Sequence, residues 1–233
     1  MRFRHADTIW SAHPQLTAGV LYADGVDDRA DTGPRAAAHT ERAAARLAGA
    51  PEGEFPEITA WRRTFSGLGL RPTQYRCAAE SLLRRLRKEG GLPRIHPVVD
   101  LCNAISVAHA VPVAALDADR IAAPLLEVRP ARGEEVYTAF DGTTEHPAPG
   151  EVTFVDSAGR AHARRWTHRQ SGWSAVGPDT RRVLVVTEAM HDGGERTVRA
   201  LLKTVAEELA AHWPVVTSDA VLTAGAPEFA FGG

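Results

Sequence analysis

Three side chains capable of acid–base or hydrogen-bonding chemistry lie close together between residues 96 and 103. Asp100 and Asn103 are three residues apart, and His96 precedes Asp100 by four. In a helix this spacing places all three along one edge, where they could bind a sugar hydroxyl, an amino group or a water molecule. Alternatively, Asp100 and Asn103 bond the backbone of the preceding turn and His96 caps the helix. Both interpretations stay open on the residues alone.

A second group of polar and aromatic side chains runs from Arg165 to Gln170. Strand periodicity predicts that Trp166, His168 and Gln170 share one face of a strand. Arg165 and Arg169 then share the other face. An aromatic ring, an imidazole and an amide that face together could hold a nucleoside. A half-buried strand shows the same alternation without any such role.

Basic residues concentrate in the segment 71–94, although the formal net charge of the whole chain is −2. That net charge argues against a protein that coats nucleic acid regardless of sequence. Guanidinium groups nevertheless suit two-point contacts with phosphate. The residues predicted to contact nucleic-acid phosphates are Arg84, Arg85, Arg87 and Lys88. Alternatively, such a run of basic residues simply forms the solvent-exposed face of a helix.

The sequence lacks the common signatures of nucleotide, zinc and serine-hydrolase chemistry. It contains no GxGxxG or GxxxxGK[ST] loop, no HExxH and no GxSxG elbow. The two cysteines, Cys77 and Cys102, form no CxxC pair, and packing in the core accounts for both. We therefore expect neither a metal nor a cofactor. The chain also shows no secretory signal and no run of 18 apolar residues, so a soluble cytoplasmic protein is expected.

The apolar patterns predict helices in the first half of the chain and strands afterwards. The predicted helices cover residues 34–47, 54–65, 73–89 and 195–212, and a further helix begins at Pro97. A strand is predicted at 17–26. After Pro124, short β-branched runs are separated by glycine and proline, which is typical of antiparallel strands. Helices followed by strands predict an α+β fold.

Three stretches, taken in order, carry a resemblance to a known family. They are GGLPRIHPVVDLCNAISVAHAVPV at 90–113, PVAALDADRI with LLEVRPARGEEVYTAFDG at 112–142, and EVTFVDSAG with DTRRVLVVTEA at 151–189. Together they resemble the tRNA-editing domain of the phenylalanyl-tRNA synthetase beta subunit over roughly residues 60–190. The resemblance implies a β-sandwich-like antiparallel core with flanking helices.

The resemblance also implies how the chain is organised. We expect a single domain over 1–233, with an N-terminal elaboration at 1–59, the synthetase-like core at 60–190, and a C-terminal helix and tail at 191–233. The chain shows neither a second catalytic region nor an anticodon-binding module. It is therefore expected to be a free-standing copy of the editing domain that does not itself charge tRNA.

The editing domain of the synthetase hydrolyses the ester that joins a wrong amino acid, tyrosine in place of phenylalanine, to tRNA. A site that hydrogen-bonds the extra hydroxyl can discriminate well where an aminoacylation pocket cannot. Under this resemblance the candidate catalytic residues are His96, Asp100 and Asn103. The residues expected to hold the aminoacyl-adenosine end are Trp166, His168, Gln170 and Glu188. Glu188 falls near a family glutamate thought to read the tyrosine hydroxyl.

One departure from the family pattern affects the expected chemistry. Ala114 stands where the synthetase has a histidine near its editing pocket. If that imidazole assists hydrolysis, His96 or His168 is its natural substitute here. Two other functions also stay open: a non-catalytic module that binds RNA or an amino acid, and a hydrolase of a small amino-acid derivative. Binding through phosphates must weaken as salt rises, which separates RNA binders from the small-molecule enzyme.

Overall fold

We describe the fold from a computed structural model, which covers residues 1–232. The helices are α1 (Asp7–Ala12), α2 (Gly33–Gly49), α3 (Pro56–Gly67), α4 (Ala78–Glu89), α5 (Pro97–His109) and α6 (Gly194–His212). The first seven strands are β1 (Arg2–His5), β2 (Thr17–Asp24), β3 (Val113–Asp117), β4 (Leu125–Pro130), β5 (Val136–Thr138), β6 (Thr144–Glu145) and β7 (Val152–Asp156). The others are β8 (Arg160–Ala161), β9 (Ala163–Arg164), β10 (Arg169–Gln170), β11 (Arg182–Ala189), β12 (Val216–Leu222) and β13 (Glu228–Ala230).

A four-stranded antiparallel sheet in the order β12-β2-β11-β3 forms one layer. Its central strand β11 alternates strictly, as a strand buried on both faces must. Val183, Val185 and Ala189 belong to the hydrophobic cluster under α5 and α6. Leu184 and Val186 belong to a second cluster on the opposite face. Consequently one strand divides the interior into two cores.

A seven-stranded sheet in the order β13-β1-β4-β7-β8-β5-β6 forms the second layer. The β1–β4 and β5–β8 pairs are parallel, and the other pairs are antiparallel. Phe3, Val128 and Phe154 from this sheet pack in the same cluster as Leu184 and Val186 of the first. The two sheets thus enclose a shared core, and the predicted α+β fold with a sandwich-like, largely antiparallel core and flanking helices is confirmed.

The helices with clear apolar periodicity form close to where the sequence predicts them. The apolar residues Ile58, Trp61 and Phe65 recur at helical spacing on α3 and are almost inaccessible to solvent, as expected for one buried face. α5 begins at Pro97 as predicted. α4, however, begins at Ala78 and not at Thr73. The reason is local: Arg71 to Tyr75 form a separate turn, and the Ala78 amide donates to the Thr167 carbonyl instead of to a helix cap.

Strand assignments are less accurate at the two ends of the chain and around residue 165. The strands β1, β12 and β13 and helix α1 are not predicted, although β1 lies inside the seven-stranded sheet. The predicted strand over 165–170 is wrong in its first four residues, since residues 165–168 form a turn between β9 and β10. The division of the chain at residues 59 and 190 stays a prediction, and strands from both flanking parts enter the sheets.

Both cysteines are buried, each in a different core. Cys77 lies in the cluster between the sheets, and Cys102 lies in the cluster under α5 and α6. Burial raises the pKa of each thiol to about 12, so neither forms a thiolate at neutral pH. Their assignment to core packing agrees with this environment. In the described chain, no helix combines the length and apolar character needed to cross a bilayer.

Candidate functional site

A cavity of about 70 Å³ opens beside β3 and β11, next to the turn between β9 and β10. Its walls are mostly apolar. They include Val113, Leu116, Phe154, Val186 and the indole of Trp166. The polar side chains that line it are His162, Thr167, His168, Arg169, Gln170 and Glu188. A few convergent polar groups in an apolar concavity are typical of a small-molecule site.

Glu188 is the buried acid of this cavity, with 2% of its surface exposed. Its Oε1 accepts a hydrogen bond from the Trp166 indole at 2.7 Å and lies 2.6 Å from Nε2 of His5. Its backbone carbonyl accepts the Trp61 indole N–H at 3.2 Å. Within residues 1–232, Oε2 has no hydrogen-bond partner and is left open to the cavity. The carboxylate is therefore held through one oxygen and presents the other.

The turn that brings Trp166 to Glu188 has an uncommon backbone. Arg165 and Trp166 both have positive φ, at 48° and 61°, which is rare for side chains other than glycine, asparagine and aspartate. Hydrogen bonds hold the turn in place: the Trp166 amide donates to the Val152 carbonyl at 2.7 Å, and the Arg165 amide donates to Glu151 at 2.9 Å. Backbone strain of this kind is concentrated at functional sites.

His168 lines the same cavity as a neutral imidazole. Its Nδ1 lies 2.8 Å from the backbone carbonyl of Arg76. A carbonyl only accepts, so Nδ1 carries the proton and Nε2 of the neutral ring keeps its lone pair. Burial lowers the pKa of His168 below its usual value, and the cations of Arg165 and Arg169 act in the same direction. The ring therefore offers a proton acceptor at neutral pH.

Gln170 and Thr167 complete the polar lining. Nε2 of Gln170 donates to the Ala115 carbonyl at 2.9 Å, which leaves the amide oxygen as an acceptor. The hydroxyl of Thr167 is buried and has no partner within the described chain. Together with Glu188 and His168, this makes the cavity rich in acceptors. Such a lining suits a ligand that brings donors, such as an ammonium group or a hydroxyl.

His162 also borders the cavity, but both of its ring nitrogens are occupied. Nδ1 lies 2.8 Å from the Ser174 hydroxyl, and Nε2 lies 3.2 Å from a carboxylate oxygen of Asp156. All three side chains are buried, and Asp156 also accepts bonds from backbone amides. This Ser–His–Asp chain is fully satisfied and fixes β7 to the loop before β11. We assign it a structural role.

The structure places Trp166, His168, Gln170 and Glu188 together at the cavity. The first three were grouped from a strand pattern that the structure does not show, and Glu188 was added from the family resemblance. It does not bring His96, Asp100 and Asn103 to them. Those three lie at the start of α5 and do not line the cavity, whose residues Pro112 and Val113 follow the other end of this helix, roughly 20 Å away at 1.5 Å per residue.

The local bonds of His96 and Asp100 fit their structural interpretation. Nδ1 of His96 accepts the Val98 amide at 3.2 Å and so caps α5. Asp100 accepts the Ile95 amide at 2.8 Å and the Arg94 guanidinium at 2.7 Å. These bonds fix the turn before the helix. A catalytic role for His96, Asp100 and Asn103 stays a prediction without support from their position.

The predicted RNA-contacting run on α4 is largely neutralised by the protein itself. Arg87 bonds Glu52 at 2.7 Å, and Arg84 lies 3.9 Å from the same carboxylate. Arg85 bonds Glu89 at 2.8 Å. Lys88 is exposed and has no acidic partner within 4.0 Å in the described chain. An RNA-binding role for this run remains a prediction.

Several side chains at the cavity, or in contact with its residues Glu188 and Trp166, were not predicted as site residues from the sequence. His5 contributes from β1, Trp61 from α3, and Thr167 from the turn itself. His13 packs its ring edge-on to Trp166 with 5.0 Å between centroids. Residues so distant along the chain share no periodic signal. Only the histidine in the opening RFRH segment, His5, could have been predicted as a site residue from its type.

Fold and cavity together define an α+β module with two sheets and a small acceptor-lined site at their junction. The chain belongs to the B3/4 domain family, whose model matches residues 60–204, more than half of the sequence. This confirms the resemblance to the beta-subunit domain of phenylalanyl-tRNA synthetase. A search among curated proteins gives no match.

Among solved structures, the chain is similar to an N-terminal fragment of the phenylalanyl-tRNA synthetase beta subunit from Pyrococcus horikoshii. The TM-score is 0.50 and the sequence identity 10%. The similarity covers 94% of this chain and 53% of that one, so the chain spans about half the length of the fragment. At this identity the likeness establishes the fold.

Proposed function

We propose that the protein hydrolyses the ester bond of misacylated aminoacyl-tRNA in trans, without being a synthetase itself. The observation that carries this proposal is the open carboxylate oxygen of Glu188 in an apolar cavity of a B3/4 domain. A buried acceptor of this kind selects an amino acid whose side chain or α-amino group supplies a donor. The cytoplasm, where such a substrate is found, is the location we propose.

The lining of the cavity favours an amino acid with a free α-amino group. Glu188, His168 and Gln170 each present an acceptor, and Thr167 adds a hydroxyl that can donate or accept. An ammonium group brings three donors, so it can satisfy several of these atoms at once. An N-blocked amino acid would leave buried acceptors unpaired, which is costly.

In this proposal His168 acts as the general base. Its Nε2 takes a proton from a water molecule while the water oxygen attacks the ester carbonyl carbon. The bond from that carbon to the ribose oxygen then breaks, and the ribose oxygen takes up a proton. The ester is already activated, so modest base assistance is sufficient. His168 would thus supply the imidazole that the synthetase has at the position of Ala114, which also lines the cavity.

The test is deacylation of a panel of labelled misacylated tRNAs, beginning with tyrosyl-tRNA specific for phenylalanine. We expect rapid ester loss from one species, with His168→Gln slowing turnover at least 100-fold, in the range of general-base contributions. His146→Gln is the matched control, because the His146 ring also bonds a backbone carbonyl, that of Glu135, but lies outside the cavity. Ester loss at the buffer rate across the whole panel would refute the proposal.

The neutralised run on α4 favours a second candidate, a hydrolase of a small amino-acid ester without RNA. The two candidates differ in salt dependence. Turnover of aminoacyl-tRNA falls as salt rises if phosphates are bound, whereas turnover of a small ester does not. Binding of aminoacyl-tRNA without turnover would instead indicate a non-catalytic module.

A further inference from the structure

We infer that the single-stranded acceptor end of RNA binds a surface beside the cavity, formed by Arg71, Tyr75 and Arg165, and not the run on α4. We call this surface the Tyr75 rim. The inference rests on the proposed function, since the amino acid is covalently joined to the terminal ribose. An amino acid inside the cavity therefore requires the last nucleotides to lie at its mouth.

The Tyr75 rim adjoins the cavity directly. The Tyr75 ring meets His168 edge-on, with 5.3 Å between ring centroids. On the other side, the guanidinium of Arg165 lies over the Tyr75 ring, 4.4 Å from its centroid. Arg165 precedes Trp166, whose indole binds Glu188. One aromatic ring thus connects a cation to the imidazole that lines the cavity.

The charges of the Tyr75 rim are free for a ligand, unlike those of α4. Neither Arg165 nor Arg71 has a carboxylate within 4.0 Å in residues 1–232. Arg71 is exposed and begins the turn that carries Tyr75, with its carbonyl accepting the Tyr75 amide at 2.8 Å. The arginines of α4 are bound to Glu52 and Glu89 instead.

The chemistry of the rim fits an unpaired nucleotide chain. Aromatic rings and guanidinium planes stack on exposed bases, and arginine also pairs with phosphate. The Arg165 backbone is already fixed by the bond from its amide to Glu151. Binding of a ligand therefore costs little conformational entropy of the main chain at this residue. A peptide partner would find no strand edge here to pair with, because the segment 71–76 contains a turn at 72–74 and no strand.

Fluorescence anisotropy with uncharged tRNA at several salt concentrations tests the inference. The double variant Arg71→Gln/Arg165→Asn should weaken binding at least tenfold and reduce the slope of log affinity against log salt by about 1.4, since each contact to a single strand contributes about 0.7. Asparagine is chosen because it tolerates the left-handed backbone at position 165. Arg196→Gln is the control, because Arg196 is an exposed arginine of α6 with no carboxylate within 4.0 Å among residues 1–232.

A second pair of variants separates stacking from charge. Tyr75→Phe should bind like the wild-type protein, whereas Tyr75→Leu should lose at least about fivefold in affinity, because it removes the ring on which a base stacks. Both variants keep a bulky apolar side chain against His168. Melting curves that match the wild type verify that the turn is intact.

Each remaining outcome has a defined meaning. Loss of affinity in Arg85→Gln/Lys88→Gln, with none in the rim variant, would move the RNA to α4 and overturn the inference. Tight binding that none of these variants weakens would place the RNA elsewhere and also overturn the inference. Hydrolysis of a small aminoacyl ester without any tRNA binding refutes the rim while leaving the esterase chemistry in place. Failure of both activities refutes the proposed function itself.

Discussion

Glu188 shows how a single side chain can be both anchored and available. Its Oε1 takes the bonds from Trp166 and His5, and these donors offset part of the unfavourable burial of the acid. No arginine or lysine pairs with it in the described chain. The free oxygen therefore keeps its full capacity to accept a hydrogen bond or face a positive charge from a ligand.

The indole of Trp166 is expected to stabilise the fold through this bond. Trp166→Phe keeps an aromatic ring but removes the N–H, leaving Oε1 of Glu188 short of one donor. We expect the free energy of unfolding to fall by about 1–3 kcal/mol, as for a lost bond to a buried group. Urea denaturation measures the change. Trp173→Phe is the control, because the Trp173 indole bonds the Arg120 carbonyl in an exposed position and should contribute less.

The pH dependence of hydrolysis should report the proton acceptor. His168 acts only when neutral, and burial lowers its pKa below the usual 6.5. The value of kcat/KM should therefore rise with pH, with an inflection at a pKa below 6.5, and become constant at pH values above that pKa. A profile measured from pH 4.5 to 8 tests this. If His168→Gln keeps the same inflection, another group titrates and the assignment of the base is wrong.

At the scale of elements, β11 is the strand that positions the site. Its alternation directs Leu184, Val186 and Glu188 towards the cavity side and leaves the other face to α5 and α6. A polar residue in a run of buried apolar ones is an exception to that pattern. Glu188 is this exception, and its carboxylate faces the cavity.

Close packing of α6 against β2 depends on one small residue. A Cβ added to Gly19 would lie 2.6 Å from Cγ1 of Val198 and 2.8 Å from Cγ2 of Thr187. Gly19→Ala should therefore lower the free energy of unfolding by about 1–3 kcal/mol through overpacking.

Gly49→Ala provides the comparison for that substitution. Gly49 ends α2, and an added Cβ there meets nothing within 4 Å. The variant should be neutral or more stable by up to about 1 kcal/mol, because alanine favours the helix. Thermal melting of the two variants side by side measures the difference. Equal stability of both would contradict the packing described for α6.

Sequence patterns were most informative where one period extends over several turns. The stripes of α3 and α6 are such patterns, and Pro97 marks the start of α5. Two-residue strands such as β9 and β10 carry too few residues for a period. The turn between them depends on left-handed Arg165 and Trp166, residue types that do not signal such a conformation. The pattern around 165 therefore predicted a continuous strand.

The site itself was partly predictable, for reasons that differ from residue to residue. Trp166, His168 and Gln170 are near in sequence, so even an incorrect strand kept them together. Glu188 depended on a family position and not on any local pattern. The partners His5 and Trp61 are distant along the chain, and only the three-dimensional pairing of β1, α3 and β11 brings them to the acid.

At the scale of the whole molecule, acid should destabilise the fold in two stages. Burial lowers the pKa of His109 to about 4 and also lowers that of His96. Burial alone would raise the pKa of Glu135, but hydrogen bonds from three backbone amides and from Arg129 outweigh it and lower the pKa to about 2. In each case the unfolded chain binds protons at a higher pH than the folded one.

Stability therefore rises with pH across this range, because the unfolded state holds more protons there. We expect the free energy of unfolding to begin falling below about pH 6.5, where unfolded histidines become charged. A further loss should follow below about pH 4.5 as unfolded carboxylates are protonated. Urea titrations at pH 7, 5.5, 4 and 3 measure both stages, and Glu135→Gln should reduce the loss below pH 4.5.

The separate locations of the two cysteines give each core its own reporter. Neither thiol can react with an alkylating reagent while it is buried, so its modification rate follows how often the surrounding cluster opens. Cys77 reports on the space between the sheets and Cys102 on the packing under α5 and α6. Similar rates would mean that the interior opens as one cooperative unit. Faster reaction of Cys77 would mean that the half of the molecule holding the cavity opens locally, independently of the packing around Cys102.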